Sequence, residues 1–264
     1  MSGFIAALPM YDWPETQGEV DDEWSVLRDR LRGQGIEAPE TLVRRNADMP
    51  AVPGGIRNAA GRVMAPDPAI LPPDELDVAT LFRHPRLLIA QTCWGPMEKG
   101  LAEHVHLVGQ PSYDGIEGGR AEFYASAIVM RKGEGEAMPA DGRATIPFDL
   151  IRGKRFAFNS LDSMSGLTAL KRDLEAAGEG LKIFSDAIAT GGHRLSVVAV
   201  AGRYADVAAI DCRSWAMAQR FEPAAGELQV VGWTAPRKGL PFITAWGTPA
   251  PVAAALVAAV KSSR

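Results

Sequence analysis

The sequence predicts an α/β fold with a mostly parallel sheet. Short apolar stretches typical of buried strands recur along the chain, and in its second half they alternate with amphipathic helical stretches. This alternation is typical of parallel sheets that are covered by helices on both faces. Hydrophobic residues make up 47% of the 264 residues and charged residues 23%, so the chain can form one large domain or two lobes.

The first elements are a strand, a helix and a second strand. Phe4–Leu8 is a short apolar run that ends at a proline, which predicts a buried strand. In "DDEWSVLRDRLRGQG" the apolar residues recur at helical spacing and two glycines follow, so a helix is expected. "ETLVRR" predicts a second strand. The following stretch, Ala47–Asp77, is rich in Pro, Gly and Asn and predicts a long surface excursion.

Order returns after this excursion. "DVATLFRHP" predicts a short helix and a turn, and the apolar runs Leu87–Gln91 and Val105–Gly109 predict two strands. Alternation of large apolar with small or polar residues predicts one long strand over Glu122–Arg131. A Gly- and Pro-containing linker, Gly133–Pro147, follows.

The next part of the chain is a regular αβ series. The strands are "KRFAFN", "LKIFSDAIAT" and "ADVAAID", followed later by "LQVVGWT" and "PFITAW". Helices are expected over Gly166–Ala177, over His193–Arg203, over "SWAMAQRF" and after Pro249. In the helix over His193–Arg203 we expect Leu195 and Val198, with Ala201 or Gly202, to face inward.

Composition excludes several classes of function. The net charge is −4, so there is no basic excess to hold a nucleic-acid backbone. The two cysteines, Cys93 and Cys212, are far apart and predict free thiols. No stretch is long and apolar enough to span a bilayer, and the start of the chain does not have the pattern of a secretory leader.

Three strand-to-helix junctions carry the candidate site, "NSLDSMSG", "TGGH" and "IDCRS". The carboxyl ends of parallel strands meet at one edge of a sheet, and ligands of open α/β sheets bind at that edge. In the first junction, Ser163, Met164, Ser165 and Gly166 begin a helix. The opening amides of a helix and nearby hydroxyls hold a phosphate, phosphonate or carboxylate without a lysine. The alternative is that Ser163 or Ser165 is only an N-cap.

The other junctions supply a histidine and a carboxylate. His193 opens a helix after two glycines, where the helix dipole favours the neutral imidazole, which can donate one hydrogen bond to an anion. A solvated loop histidine is the alternative. Asp211 ends an apolar strand and either caps the next helix or accepts from a ligand that carries a donor. Tyr11 follows the first strand, and Gln91 and Thr92 end another, so these three could line the same site or serve only packing and turns.

Signatures of enzymes and cofactors are absent. The sequence contains no GxSxG elbow, no HExxH and no dinucleotide fingerprint. The four histidines show no metal-ligand spacing with Cys or carboxylates. We therefore predict no catalytic residues, no metal and no cofactor.

The quoted stretches together resemble a family. "ALPMYDWPE", "LLIAQTC", "FNSLDSMSGLTAL", "TGGHRLSVVAVAGRYADVAAID" and "LPFITA" resemble the phosphate, phosphite and phosphonate substrate-binding proteins of ABC transporters, which have the type 2 periplasmic-binding-protein fold. The resemblance implies two α/β lobes with mixed, mostly parallel sheets joined by two crossing strands. It places lobe I at residues 1–121 and 241–264, lobe II at residues 122–240, and a ligand cleft between them.

The resemblance also implies roles for the candidate residues. Ser163, the Met164 amide, Ser165 and Gly166 would hold the ligand's oxygens with help from His193. Asp211 would face the ligand's polar end, and Tyr11 with Gln91 or Thr92 would close from the first lobe. The long strands Glu122–Arg131 and Leu228–Trp246 would supply a hinge.

The function implied is that of a monomeric solute-binding protein for a small oxyanion such as phosphonate, phosphite or phosphate, presented to an ABC permease. Met164 stands where family members often have a polar residue, and this leaves the ligand open. The alternatives are a cytosolic enzyme on the same fold, of the menaquinone-precursor or thiamin-pyrimidine type, and a ligand-sensing domain. The protein is expected in the periplasm if a leader has been removed, and otherwise in the cytoplasm.

Overall fold

The computed structural model describes residues 3–261; the ends of the predicted lobe I, residues 1–2 and 262–264, lie outside the described residues. The chain forms two compact units. The first unit runs from the start of the chain to Pro111 and resumes at Leu240, and the second runs from Ser112 to Gly239. The assignment of these units to one ligand cleft stays a prediction.

The strands are β1 (Ile5–Ala7), β2 (Ile56–Arg57), β3 (Val63–Ala65), β4 (Leu87–Gln91), β5 (Val105–Gly109), β6 (Gly119–Arg120), β7 (Phe123–Tyr124), β8 (Ser126–Arg131), β9 (Arg155–Phe158), β10 (Asp186–Ala189), β11 (Val207–Asp211), β12 (Leu228–Trp233), β13 (Arg237–Lys238) and β14 (Phe242–Ala245). The α-helices are α1 (Gln17–Gly33), α2 (Val78–Arg83), α3 (Trp94–Glu98), α4 (Phe148–Ile151), α5 (Ala169–Ala176), α6 (His193–Ala201), α7 (Cys212–Phe221) and α8 (Ala250–Lys261). A π-helix, Met164–Thr168, leads directly into α5.

The first unit is built on a four-stranded sheet in the order β1-β4-β14-β5. β1 and β4 are parallel, whereas β14 is antiparallel to both of its neighbours. All five residues of β4 are buried, which fits its continuous apolar sequence. Helix α1 packs on this sheet through Trp24, Leu27 and Leu31, at the helical spacing predicted from the sequence.

The second unit is built on a five-stranded sheet in the order β10-β9-β11-β8-β12. β9 is parallel to β10 and β11, whereas β8 is antiparallel to both of its neighbours, β11 and β12. Each main sheet therefore contains one reversed strand among parallel ones. The predicted α/β class with mixed, mostly parallel sheets is confirmed.

Two predicted strands are interrupted in the structure. The run Glu122–Arg131 is divided into β7 and β8 at Ala125, because its amide donates to Gly118 O and its carbonyl accepts from Cys212 N. The run Leu228–Trp246 is divided into β12, β13 and β14. Pro236 and Pro241, which have no amide hydrogen to donate, lie in the breaks.

The predicted strand "ETLVRR" is wrong. The Val43 amide donates to Ala6 O at 2.8 Å, so the stretch lies beside β1. The next two amides, of Arg44 and Arg45, instead donate to the Asp48 carboxylate at 3.1 Å and 3.0 Å. This local turn takes the amides away from the sheet edge. The excursion over Ala47–Asp77 also contains a small hairpin, β2–β3, which the sequence analysis did not predict.

The inward face predicted for helix α6 is also wrong. Leu195 is 54% exposed and Val198 40% exposed, whereas Val197 and Val200 are fully buried. His193 lies on the same side of the helix as Val197 and Val200, because residues four and seven apart share a face. The rotation of the helix turns His193 toward the sheet edge and leaves the large apolar side chain of Leu195 exposed.

Within residues 3–261, no helix has the length and apolar character that a membrane crossing requires.

Candidate functional site

The candidate site lies at one edge of the second unit's sheet. β9, β10 and β11 run parallel, so their carboxyl ends share that edge. The π-helix follows β9 there, α6 follows β10, and α7 follows β11. The structure therefore brings the three predicted junctions together within one unit, and the opening amides of their helices lie at one edge.

Ser163 is the cap of the first junction. Its backbone is extended and its hydroxyl oxygen accepts from the Gly166 amide at 2.9 Å. The hydroxyl hydrogen is not used by that bond and can be donated to a ligand. A Cβ on Gly166 would lie 1.9 Å from the Asn159 Oδ1 atom, so any larger residue would have to displace the Asn159 side chain. The capping interpretation is right for Ser163, while Met164 and Ser165 are buried inside the π-helix.

Ser165 is not a cap but part of a contact with the other two junctions. Its hydroxyl lies 2.9 Å from His193 Nε2, and the same nitrogen lies 3.2 Å from Asp211 Oδ2. A carboxylate can only accept, so Nε2 must carry the ring hydrogen. The Ser165 oxygen then accepts from that shared hydrogen, and its own hydrogen can be donated elsewhere.

The environment of His193 holds the ring neutral. Burial lowers its pKa, and the nearby Asp211 carboxylate opposes that shift without cancelling it. The other ring nitrogen, Nδ1, is buried and has no hydrogen-bond partner among the described residues. A neutral ring with an unbonded Nδ1 can take up a proton at that nitrogen and donate a hydrogen bond from it to an anion. The negative charge of the anion would in turn favour the charged ring.

Asp211 is buried and is both a cap and a contact. Its Oδ1 accepts from the Ser214 amide at 2.9 Å, which caps α7, while Oδ2 meets His193. Ser165 and Asp211 both meet Nε2, whereas a Ser-His-Asp relay uses the two ring nitrogens separately. The three side chains therefore do not have the geometry of a hydrolytic triad.

Several supporting residues were not singled out from the sequence. The Ser126 hydroxyl donates to Ser165 O at 3.0 Å, and the Ser126 amide donates to Thr234 Oγ1 at 2.8 Å. Asn159 Oδ1 is buried without a hydrogen-bond partner among the described residues. Asn159 directly follows β9, and that position after a parallel strand was the signal that could have identified it.

The remaining three predicted residues belong to the first unit. Tyr11 follows β1, and Gln91 and Thr92 lie at the end of β4, so all three lie toward the carboxyl edge of that sheet. All three are buried. The Tyr11 carbonyl accepts from the Thr16 hydroxyl, and the Thr92 amide donates to Pro241 O at 2.9 Å.

The remaining reactive side chains include two cysteines and two histidines. Cys93 and Cys212 form no disulfide among the described residues. Cys212 directly follows Asp211, and burial, aided by the charge of that carboxylate, raises the pKa of its thiol. Among residues 3–261, no group of three or more His, Cys, Asp or Glu side chains is arranged to hold a metal ion. His106 stacks on Trp246 and its Nε2 lies 2.9 Å from Trp246 O, while His84 is a buried side chain of the first unit.

A profile of the family described as "ABC transporter, phosphonate, periplasmic substrate-binding protein" matches residues 101–262. The chain belongs to this family. The protein is therefore the substrate-binding component of an ABC transporter. It binds a small ligand and works with a permease, and it is not an enzyme. This membership supports the solute-binding hypothesis over the enzyme hypotheses.

Solved structures show the same fold, the type 2 periplasmic-binding-protein fold. PhnD1 from Prochlorococcus marinus in complex with methylphosphonate superposes with a TM-score of 0.62 at 16% identity, over 99% of this chain and 83% of that chain. The binding protein component of an ABC phosphonate transporter from Pseudomonas aeruginosa gives 0.59 at 13% identity, over 96% and 72%. A histidine kinase sensor domain with similarity to periplasmic binding proteins gives 0.56 at 13% identity, over 99% and 90%. A comparison with the curated proteins gave no match.

Proposed function

We propose that the protein binds a small phosphonate-type oxyanion at the junction formed by Ser165, His193 and Asp211, and presents it to its permease. The observation that carries the proposal is the contact of Ser165 and Asp211 with one nitrogen of a partly buried histidine at three helix N-termini. Neutral donors dominate this edge, and helix N-termini favour an anion there.

The proposal gives each residue a part. The hydroxyl hydrogens of Ser163 and Ser165 and the Met164 amide donate to the ligand's oxygens. The Gly166 amide is already bonded to the Ser163 hydroxyl oxygen, so Gly166 contributes the shape of the turn. His193 donates from Nδ1 once it takes up a proton. Tyr11, Gln91 and Thr92 are assigned to the same ligand on the family resemblance alone, as is the monomeric state.

Asp211 narrows the ligand class. A buried carboxylate repels a fully ionised oxyanion, but it accepts from a ligand oxygen that carries a proton. Phosphonate, phosphite and phosphate can hold such a proton near neutral pH, whereas sulfate cannot. We therefore expect these phosphorus oxyanions to bind in preference to sulfate.

Calorimetric titration of methylphosphonate, phosphite, phosphate and sulfate into the intact protein tests the proposal. Ser165→Ala should weaken binding of the preferred ligand by about thirtyfold, since a hydrogen bond to a charged group contributes about 2 kcal/mol. Ser185→Ala, which removes an exposed hydroxyl of the same unit, is the matched control and should bind like the wild type. Absence of oxyanion binding, or equal affinity in both variants, would overturn the assignment.

A further inference from the structure

A second cavity lies entirely within the first unit, apart from the residues assigned to the oxyanion. It has a volume of about 640 Å³, which is within the usual range for small-molecule sites. Its walls come from the hairpin β2–β3, from the end of α2, and from the segments next to β5 and β14. The polar and aromatic residues of its lining include Arg57, Asn58, Arg83, Glu103, His104 and Trp246.

One wall belongs to the excursion over Ala47–Asp77, which lies outside the matched family region of residues 101–262. Its hairpin is held in shape by its own side chains. Asn58 Oδ1 accepts from the Ala60 and Arg62 amides at 3.1 Å and 3.0 Å, which fixes the turn. Arg57 Nη1 donates to Gly61 O at 2.7 Å and so braces the hairpin.

The excursion is also fastened to the rest of the unit. The Asn46 amide group donates to Pro72 O at 2.8 Å, and Asn46 Oδ1 accepts from the Asp77 amide at 2.9 Å. The His84 ring contacts Pro50 O at 3.0 Å. The wall is therefore preorganised, which lowers the entropic cost of binding a small molecule there.

Trp246 supplies an aromatic surface. Its ring stacks on His106 with centroids 4.6 Å apart and an interplanar angle of 17°. His106 Nε2 also contacts Trp246 O at 2.9 Å, so the residue is held at two points. Trp246 nevertheless remains 59% exposed, which is unusual for an indole and leaves area for a planar ligand.

The charges at the cavity favour an anion. Neither Arg57 nor Arg83 pairs with a carboxylate within the described part of the chain. Arg83 Nη1 donates to Ala79 O, but its Nε is buried and has no partner among these residues. Glu103 is the single acidic residue of the lining, against the two guanidinium groups of Arg57 and Arg83. A guanidinium fork suits a carboxylate in particular.

We propose that this cavity is a second ligand site, which takes a small planar aromatic carboxylate with its ring against Trp246 and its carboxylate on Arg83. Three probes of similar size separate the need for an aromatic ring from the need for a carboxylate. Benzoate has both the ring and the charge, benzamide has only the ring, and cyclohexanecarboxylate has only the charge. The proposal does not depend on the oxyanion site.

The test is titration of the three probes into the intact ¹⁵N-labelled protein, followed through the indole N–H resonances. We expect benzoate to bind with a Kd of about 1 mM or tighter and to shift the Trp246 indole signal, which is assigned by its loss in Trp246→Leu. Benzamide and cyclohexanecarboxylate should each bind about tenfold more weakly. Trp246→Leu and Arg83→Gln should each weaken benzoate by a similar factor, with unchanged methylphosphonate binding and melting temperature as the check on folding.

Ser165→Ala locates the binding. It should leave benzoate affinity unchanged, whatever its effect on methylphosphonate, so the two proposals can fail separately. Lack of benzoate binding to the wild type, equal affinity for all three probes, or equal affinity in Trp246→Leu and Arg83→Gln would each overturn the second site. Loss of benzoate binding in Ser165→Ala would place the probe elsewhere and overturn it as well.

Discussion

Each unit contains a histidine that is largely removed from solvent, and the two rings are bonded differently. His84 of the first unit is completely buried, with Nε2 3.0 Å from Pro50 O and Nδ1 accepting from the Arg86 amide at 3.1 Å. His193 of the second unit has a side chain that is 12% exposed. Its Nε2 meets Ser165 and Asp211, and its Nδ1 has no partner among the described residues.

Under the proposed function, this difference separates a structural ring from a ligand-binding one. Burial lowers the pKa of both histidines, so a perturbed pKa alone would not distinguish them. The number of satisfied nitrogens does distinguish them. A ring whose two nitrogens both bond to backbone atoms cannot form another hydrogen bond. A ring with one unbonded nitrogen beside three helix N-termini can still form a hydrogen bond to a ligand.

Replacing His84 should have the largest effect on stability. His84→Ala leaves a cavity and removes the partners of the Pro50 carbonyl and the Arg86 amide, so the free energy of unfolding should fall by about 3 kcal/mol. Urea unfolding measures this loss. His104→Ala, a partly exposed histidine of the same unit, is the control and should cost under about 0.5 kcal/mol. Equal stability of the two variants would contradict the structural role of His84.

Replacing His193 should instead affect binding. His193→Gln keeps a donor for Asp211 but loses the nitrogen that can be protonated, so methylphosphonate affinity should fall by at least about tenfold, or about 1.4 kcal/mol. The free energy of unfolding should change by under about 1 kcal/mol. Calorimetry and urea unfolding measure the two quantities. His84→Gln should show the reverse pattern, and an equal loss of affinity in both variants would remove the distinction.

Much of the fold could be predicted from the sequence because its strands and helices are regular. β4 and β5 have the predicted bounds, since each is a short apolar run bounded by turns. "ETLVRR" failed because Asp48 captures two amides that a strand would have needed, and such side-chain competition does not show in hydrophobic periodicity.

The placement of the three junctions could be predicted from the sequence, but the hydrogen bonds between them could not. The order of strands and helices indicated that the three junctions share an edge, and the structure places them there. Which serine caps and which one meets His193 depends on the π-helix, which offsets the helix by part of a turn and has no sequence signature. The inward face of α6 was predicted wrongly because the helix buries Val197 and Val200 together with His193 and Ser196, whose polar contacts do not show in hydrophobic periodicity.

Acid should destabilise the protein through both His84 and His193, and bound ligand should remove only the contribution of His193. A lowered pKa in the folded state means that the unfolded chain binds more protons as the pH falls through the usual histidine value of about 6.5. Stability is therefore full above that value and is lost below it, by up to about 1.4 kcal/mol per pH unit for each ring. Urea unfolding between pH about 7.5 and about 5, a range that brackets the usual histidine pKa, should show a shallower dependence of stability on pH in His84→Gln and in His193→Gln than in the wild type.

Methylphosphonate sharpens this test. An anion beside Nδ1 favours the charged ring, so saturating ligand should remove the share of the pH dependence that belongs to His193 and leave the share of His84. Calorimetry at pH about 6 in two buffers of different ionisation enthalpy should therefore show proton uptake on binding in the wild type and in His84→Gln, but not in His193→Gln. Uptake that persists in His193→Gln would mean that another group takes the proton.

Ser163 and Ser165 of the first junction differ in the same way as the two histidines, with a smaller expected effect. The Ser163 hydroxyl oxygen accepts a hydrogen bond from the Gly166 amide, whereas the Ser165 hydroxyl contacts the His193 ring. Ser163→Ala should therefore lower the free energy of unfolding by about 1 kcal/mol, the usual contribution of an N-cap, and Ser165→Ala should lower it by less. Urea unfolding of the two variants without ligand measures the difference. A larger loss in Ser165→Ala would show that its contact with His193 supports the fold, and the distinction between satisfied and open groups would then not extend to the hydroxyls.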